Sequence, residues 1–105
     1  MSAPTTILPL PDVPPDVHKF AEEQGVTAYL PAVLAMTRRI FPIWPIKVLL
    51  EDDPEIANDW HIVFEVEVPD DAEVETLLGL REQWVSEIFE QCPSTHVCVF
   101  RLGMV

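Results

Sequence analysis

WHIVFEVEVPDDAEVETLLGLREQWVSEIFEQ, residues 60–91, decides how this chain folds. Ile62, Phe64, Val66 and Val68 fall on one face, and His61, Val63, Glu65 and Glu67 on the other, which is the period of a half-buried strand. Pro69 cannot donate to a sheet ladder and ends the strand. Asp70 is then expected to cap a helix, with Glu73 reaching back in capping-box fashion. Beyond it Val74, Leu77, Leu78, Trp84, Val85, Ile88 and Phe89 recur at steps of three and four, as one apolar helical stripe. Glu75, Glu82, Glu87 and Glu90 occupy the other side, with Arg81 the only base. Gly79 within this helix costs about 1 kcal/mol against Ala, which points to a close approach of another backbone. Pro93 stops the helix.

Toward the N-terminus, the acidic segment Glu51 to Asp59 turns the chain between this strand and an earlier one at Ile46-Lys47-Val48-Leu49-Leu50. Phe41-Pro42-Ile43-Trp44-Pro45 precedes it as an apolar connector whose two prolines exclude regular pairing. Two helices come before that. The first follows Asp12, with Pro14 and Pro15 tolerated in its opening turn, and Gly25 stands where a left-handed cap is expected. The second runs to about Ile40 and starts either with Thr27 as cap or with Pro31 as first residue. Arg38 and Arg39 sit at its C-terminus, where the helix dipole favours positive charge. The two form a short αα-hairpin. Residues 1–12 are a Pro-rich arm, extended in character, whose Ile7, Leu8 and Leu10 favour lying along a surface. Residues 13–105 form one domain.

A last strand is expected over Thr95 to Leu102, completing the order α-α-β-β-α-β. The fold class is α+β, with a three-stranded antiparallel sheet of order 2-1-3 and the helices packed on one face. Ile46, Val48, Leu50, Ile62, Phe64, Val66, Cys98 and Phe100 make the inward set. Lys47, Leu49, Val63, Glu65, Glu67, Val97, Val99 and Arg101 face outward. That outer face mixes aliphatic side chains with charges, and suits either a second chain or cover by the N-terminal arm or the helical hairpin.

The 105 residues carry 18 Asp and Glu against 6 Lys and Arg, a net charge of −12. A polyanion would be repelled, so direct nucleic-acid binding is not expected. Eleven of the carboxylates lie between Glu51 and Glu75 with no Lys or Arg among them. They make either a solvated face or a docking surface for a basic partner. No run approaches the roughly 20 apolar residues of a membrane span, and the N-terminus lacks a signal peptide's basic and apolar regions, so a cytoplasmic location is expected. Cys92 and Cys98 are then expected as reduced core thiols.

Cys92, His96 and Cys98, with His61 as a fourth ligand, have the residue types of a zinc site, but lack the paired knuckles such sites use. No cofactor or metal is expected. Ser2, Ser86 and Ser94 occupy no nucleophile-elbow context, and Gly25, Gly79 and Gly103 cannot build a phosphate loop. Asp52 or Asp53 followed by Glu65-x-Glu67 resembles the acidic cluster of metal-dependent nucleases of the PD-(D/E)xK type, with Glu67 standing where that pattern has lysine. The resemblance implies two or three oxygens converging on Mg²⁺, and gives the alternative of a nuclease-like hydrolase.

Leu49-Leu50-Glu51-Asp52-Asp53-Pro54-Glu55-Ile56 followed by Trp60-His61-Ile62-Val63 resembles small uncharacterised acidic prokaryotic proteins, some in toxin-antitoxin-like gene pairs. The resemblance spans about residues 46–68 and implies a partner-binding role without catalytic residues. The expected function is therefore a non-enzymatic interaction module, antitoxin-like or inhibitor-like. Its partner is a basic protein, such as a toxin. Leu49, Trp60 and Val63 would anchor that partner, and Asp52, Asp53, Glu55, Glu65, Glu67, Asp71 and Glu75 would supply the charge. Homodimerisation through the sheet face or an edge strand is the competing form.

Overall fold

A computed structural model describes residues 7–105, apart from the side chain of Cys98. Among these residues the chain forms helix α1 (Pro15–Gln24), helix α2 (Leu30–Ile40), strands β1 (Ile46–Asp52) and β2 (Trp60–Val66), helix α3 (Val74–Gln91), a 3-10 turn (Val97–Val99) and strand β3 (Phe100–Met104). The α+β class and the order of elements follow the sequence pattern.

Gly25 ends α1 at φ 70°, ψ 26°, and its N–H closes on the carbonyls of Ala21 and Glu22. Only glycine reaches that left-handed cap without a Cβ penalty. Pro31 lies in the first turn of α2, where the unpaired amides leave room for it. The helix begins at Leu30 with Tyr29 as cap, one residue before the expected Pro31 start and later than the expected Thr27 cap. Ahead of α1, the arm is fastened where Leu8 N–H donates to Pro42 C=O at 2.9 Å. Residues 1–6 of the expected arm lie outside the described residues.

The sheet differs from the expected 2-1-3 antiparallel arrangement. Its order is β1-β2-β3, with β1 antiparallel to β2 and β2 parallel to β3. The physical reason is the crossover: α3 carries the chain back along the sheet, so β3 runs in the direction of β2 and pairs directly beside it. β2 is thereby central. Its Ile62, Val63 and Phe64 are buried in succession, as a strand flanked on both sides requires.

The expected strand over Thr95–Leu102 also shifts. Residues 97–99 wind into a 3-10 turn after Pro93, with His96 N–H donating to Pro93 C=O, and extended pairing begins only at Phe100. Val97 and Val99 thus leave the sheet's outer set and pack half-buried against the core. One apolar core lies on the helix side, where Val17, Ala21, Val33, Ile40 and Trp84 meet Ile46, Val48, Ile62, Phe64, Val66 and Phe100. Phe64 stacks on Phe100 with centroids 6.0 Å apart and meets Trp84 at 6.5 Å.

α3 departs from its expected capping. It begins at Val74 with Glu73 as cap and no side-chain capping bond, while Pro69 to Ala72 close a turn through Ala72 N–H to Pro69 C=O. Its stripe splits as well. Trp84 and Ile88 are buried, whereas Val74, Leu78, Val85 and Phe89 are exposed along an adjacent flank. Around Gly79 nothing lies within 4 Å of where a Cβ would stand, so the expected close approach does not occur.

Candidate functional site

The structure divides the eleven acidic residues between the two ends of β2. Glu51, Asp52, Asp53, Glu55 and Asp59 gather at the β1–β2 hairpin. Asp70, Asp71, Glu73 and Glu75 lie at the entry to α3, beyond the far end of the strand. Seven residues of strand separate the groups by roughly 20 Å. Glu65 and Glu67 stand near the second group, beside Lys47, Pro45, Val68 and Asp70 in a cleft of about 410 Å³.

The hairpin end is built by its own backbone. Asp53 N–H donates to Asp59 C=O at 2.8 Å, and the Asp53 carboxylate accepts from Glu55 N–H at 2.8 Å in an Asx turn. Asn58 takes φ 62°, the left-handed conformation that asparagine tolerates better than most residues. This loop presents Ile56, 56% exposed, at its tip and Trp60, 44% exposed, at its base. Behind Trp60 a cleft of about 440 Å³ opens toward α1, lined by Asp16, Lys19, Phe20, Glu23, Leu50 and Asn58 among others. The sequence pattern puts Phe20 on the apolar side of α1 with Val17 and Ala21, and does not mark Asp16, Phe20 or Glu23 as site residues. Their apposition depends on how α1 packs over the sheet, and the steps of four and three from Asp16 to Phe20 to Glu23 hint at a shared face.

Trp60 does not share a face with the other two expected anchors. It follows the parity of Ile62 and Phe64 and lies on the helix side, whereas Leu49 and Val63 are register partners on the outer face. Val63 is buried there, flanked in register by Leu49 and Arg101, and its Cγ1 lies 3.4 Å from where a Cβ on Gly103 would stand. His61, on the same face, is also buried and meets Asp59 with Nε2 to Oδ2 at 3.1 Å. Among the described residues this is the one contact within 4 Å between any of the eleven carboxylates and a Lys, Arg or His side chain.

Of the chain's bases, Arg38 and Arg39 are engaged elsewhere, while Lys19 lines the cleft behind Trp60. Arg38 is buried beneath the end of α2, where its Nη1 donates to the carbonyls of Phe41 and Trp44 at 2.9 and 2.8 Å. Burial lowers its pKa from the ordinary arginine value. Arg39 pairs with Glu87 on α3. The Arg39 guanidinium, and then the Gln83 amide, hold the Glu87 carboxyl below the ordinary glutamate value, and the same pairing raises Arg39. Lys47 is opposite Glu65 across the β1–β2 pair.

The Asp…Glu-x-Glu arrangement does not converge. Asp52 is opposite Trp60 and Glu65 is opposite Lys47, five register steps or roughly 17 Å apart. Among the described residues no three His, Cys, Asp or Glu side chains gather closely enough to hold a metal ion. Cys92 is buried at the end of α3. No helix of the described residues is long and apolar enough to cross a membrane. Searches of protein-family models, curated proteins and solved structures find no match for this chain.

Proposed function

We propose that the chain is a protein-interaction module, antitoxin-like or inhibitor-like, that holds a basic protein partner at the β1–β2 hairpin end. The observation that carries this reading is one of composition in space. Exposed Ile56 and Trp60 stand among Glu51, Asp52, Asp53 and Glu55, and none of those four carboxylates has a cationic partner among the described residues. An apolar centre with a charged rim is the anatomy of a hot spot that excludes water while its surroundings select the partner's charge. Unpaired carboxylates also steer a cationic partner during encounter, an effect that salt screens. The α3 entry sets Asp70, Asp71, Glu73 and Glu75 around an exposed Val74 but has no exposed aromatic, the side-chain type in which hot spots are enriched, so it adds long-range field with a weaker anchor.

Affinity capture with the wild-type chain, followed by measurement of Kd with the purified captured protein, tests this reading. The Asp52→Asn, Asp53→Asn, Glu55→Gln triple variant and Trp60→Ala are expected each to weaken binding of a basic partner by at least about tenfold. Equal affinity for wild type and both variants contradicts the proposal.

A further inference from the structure

We propose that the free edge of β3 and the exposed flank of α3 form a two-fold interface with a second copy of this chain. Among the described residues no strand lies beyond β3. Val105 N–H donates to Val66 C=O at 3.0 Å, and Val105 C=O accepts from Val68 N–H at 2.9 Å, so Val105 turns both groups toward β2. Strand alternation gives Gly103 and Arg101 the same direction and aims the N–H and C=O of Leu102 and Met104 at the open side.

Antiparallel pairing centred on Leu102 sets these edge groups against their own copies. Leu102 meets Leu102 of the second chain as a hydrogen-bonded pair, and Met104 N–H reaches the Phe100 carbonyl. The Phe100 N–H is already given to Val97 C=O. The side chains agree with this register. Phe100, Leu102 and Met104 present one apolar face, while on the other face Arg101 falls opposite Gly103, which has no side chain to oppose it. A two-fold contact needs such self-complementarity, and a centre on Arg101 would instead set two guanidinium groups together.

The helix continues the same surface. A groove of about 380 Å³ between α3 and β3 is lined by Val85, Phe89, Phe100 and Leu102, and its charged members are Arg81 and Arg101. No carboxylate lines it, so two chains of net charge −12 can approach through it with little local repulsion. Val85 and Phe89, 45% and 56% exposed, would be covered together with the strand edge. The edge is roughly 17 Å long and the helix flank from Val74 to Phe89 about 22 Å. Such a face buries on the order of several hundred Å² per copy, near the low end of the roughly 800 Å² of a standard interface. A concentration-dependent dimer follows.

Sedimentation velocity of the full chain from about 5 μM to about 500 μM, with amide hydrogen exchange at both ends of the range, tests the proposal. The expected result is a dimer at high concentration with slowed exchange at Leu102 and Met104. Phe89→Glu, an exposed position that leaves the core intact, should return it to monomer, and so should Met104→Pro, which removes an edge donor. A monomer throughout, with fast exchange at both amides, overturns the interface even if the groove takes up some other segment. A dimer unchanged by both variants overturns its location.

Discussion

Thr37 is a small polar residue with a structural task that its type does not announce. Fully buried on α2, its hydroxyl donates to Val33 C=O and accepts from Trp84 Nε1, both at 2.8 Å, which ties α2 to α3. Thr37→Val keeps the volume but leaves the indole N–H unpaired, and is expected to cost about 1–3 kcal/mol in chemical denaturation. Thr37→Ser keeps both bonds and should cost less. Gly79 lies on open helix surface, so Gly79→Ala is expected to stabilise by about 0.5–1 kcal/mol, read as a higher urea midpoint at unchanged slope. Glu87 gives a pH dependence of known sign. Its folded pKa is depressed by Arg39, so its contribution is present above the ordinary glutamate value and is lost as pH falls through the depressed one. Glu87→Gln should remove this part of the acid sensitivity, seen as a smaller drop in urea midpoint between neutral pH and about pH 3. Both partners are solvent-facing, so the change is small.

At the level of elements, what the sequence shows clearly is punctuation. Gly25 and Pro93 stand just past the ends of α1 and α3 and Pro31 lies in the first turn of α2, because backbone freedom or a missing N–H acts locally, whereas Pro69 does not end β2, which stops three residues earlier at Val66. What it hides is the partner of each face. Val74, Leu77, Leu78, Trp84, Val85, Ile88 and Phe89 form a stripe wider than one neighbour can cover, and periodicity alone cannot say which part is left exposed. The structure buries Trp84 and Ile88 and exposes Val74, Leu78, Val85 and Phe89. Likewise, alternation through residues 95–102 fits a strand, yet the turn closed on Pro93 takes residues 97–99 first. The exposed flank gives a discriminating pair of substitutions. Val85→Glu should leave thermal stability of the monomer within about 0.5 kcal/mol, whereas Ile88→Ala should cost about 2–5 kcal/mol.

Across the whole molecule, strand order was the feature least visible in the sequence. One trace of it exists: Ile62-Val63-Phe64 is an unbroken apolar run, which a central strand needs, while β1 interrupts its apolar residues with Lys47, as an edge does. The expected functional residues separate for the same reason. Sequence places Asp52, Glu65 and Glu75 within one acidic run, but β2 carries the chain across the sheet between the first and the last. The hairpin keeps Asp52, Asp53, Glu55 and Trp60 together, whereas Asp71 and Glu75 go to the opposite end and Leu49 and Val63 to the outer face. The acidic run is thus organised as two poles, and among the described residues the hairpin pole displays an exposed aromatic, Trp60, with Ile56 beside unpaired acids, whereas the α3 pole displays the smaller Val74. The direct measurement is the association rate constant with the captured basic partner as a function of ionic strength. Asp52→Asn, Asp53→Asn, Glu55→Gln is compared with Asp70→Asn, Asp71→Asn, Glu75→Gln. The account predicts that the hairpin variant associates at least roughly tenfold more slowly at low salt with a flattened salt dependence, while the other stays near wild type. Equal slowing by the two variants, or none by the hairpin variant, would contradict it.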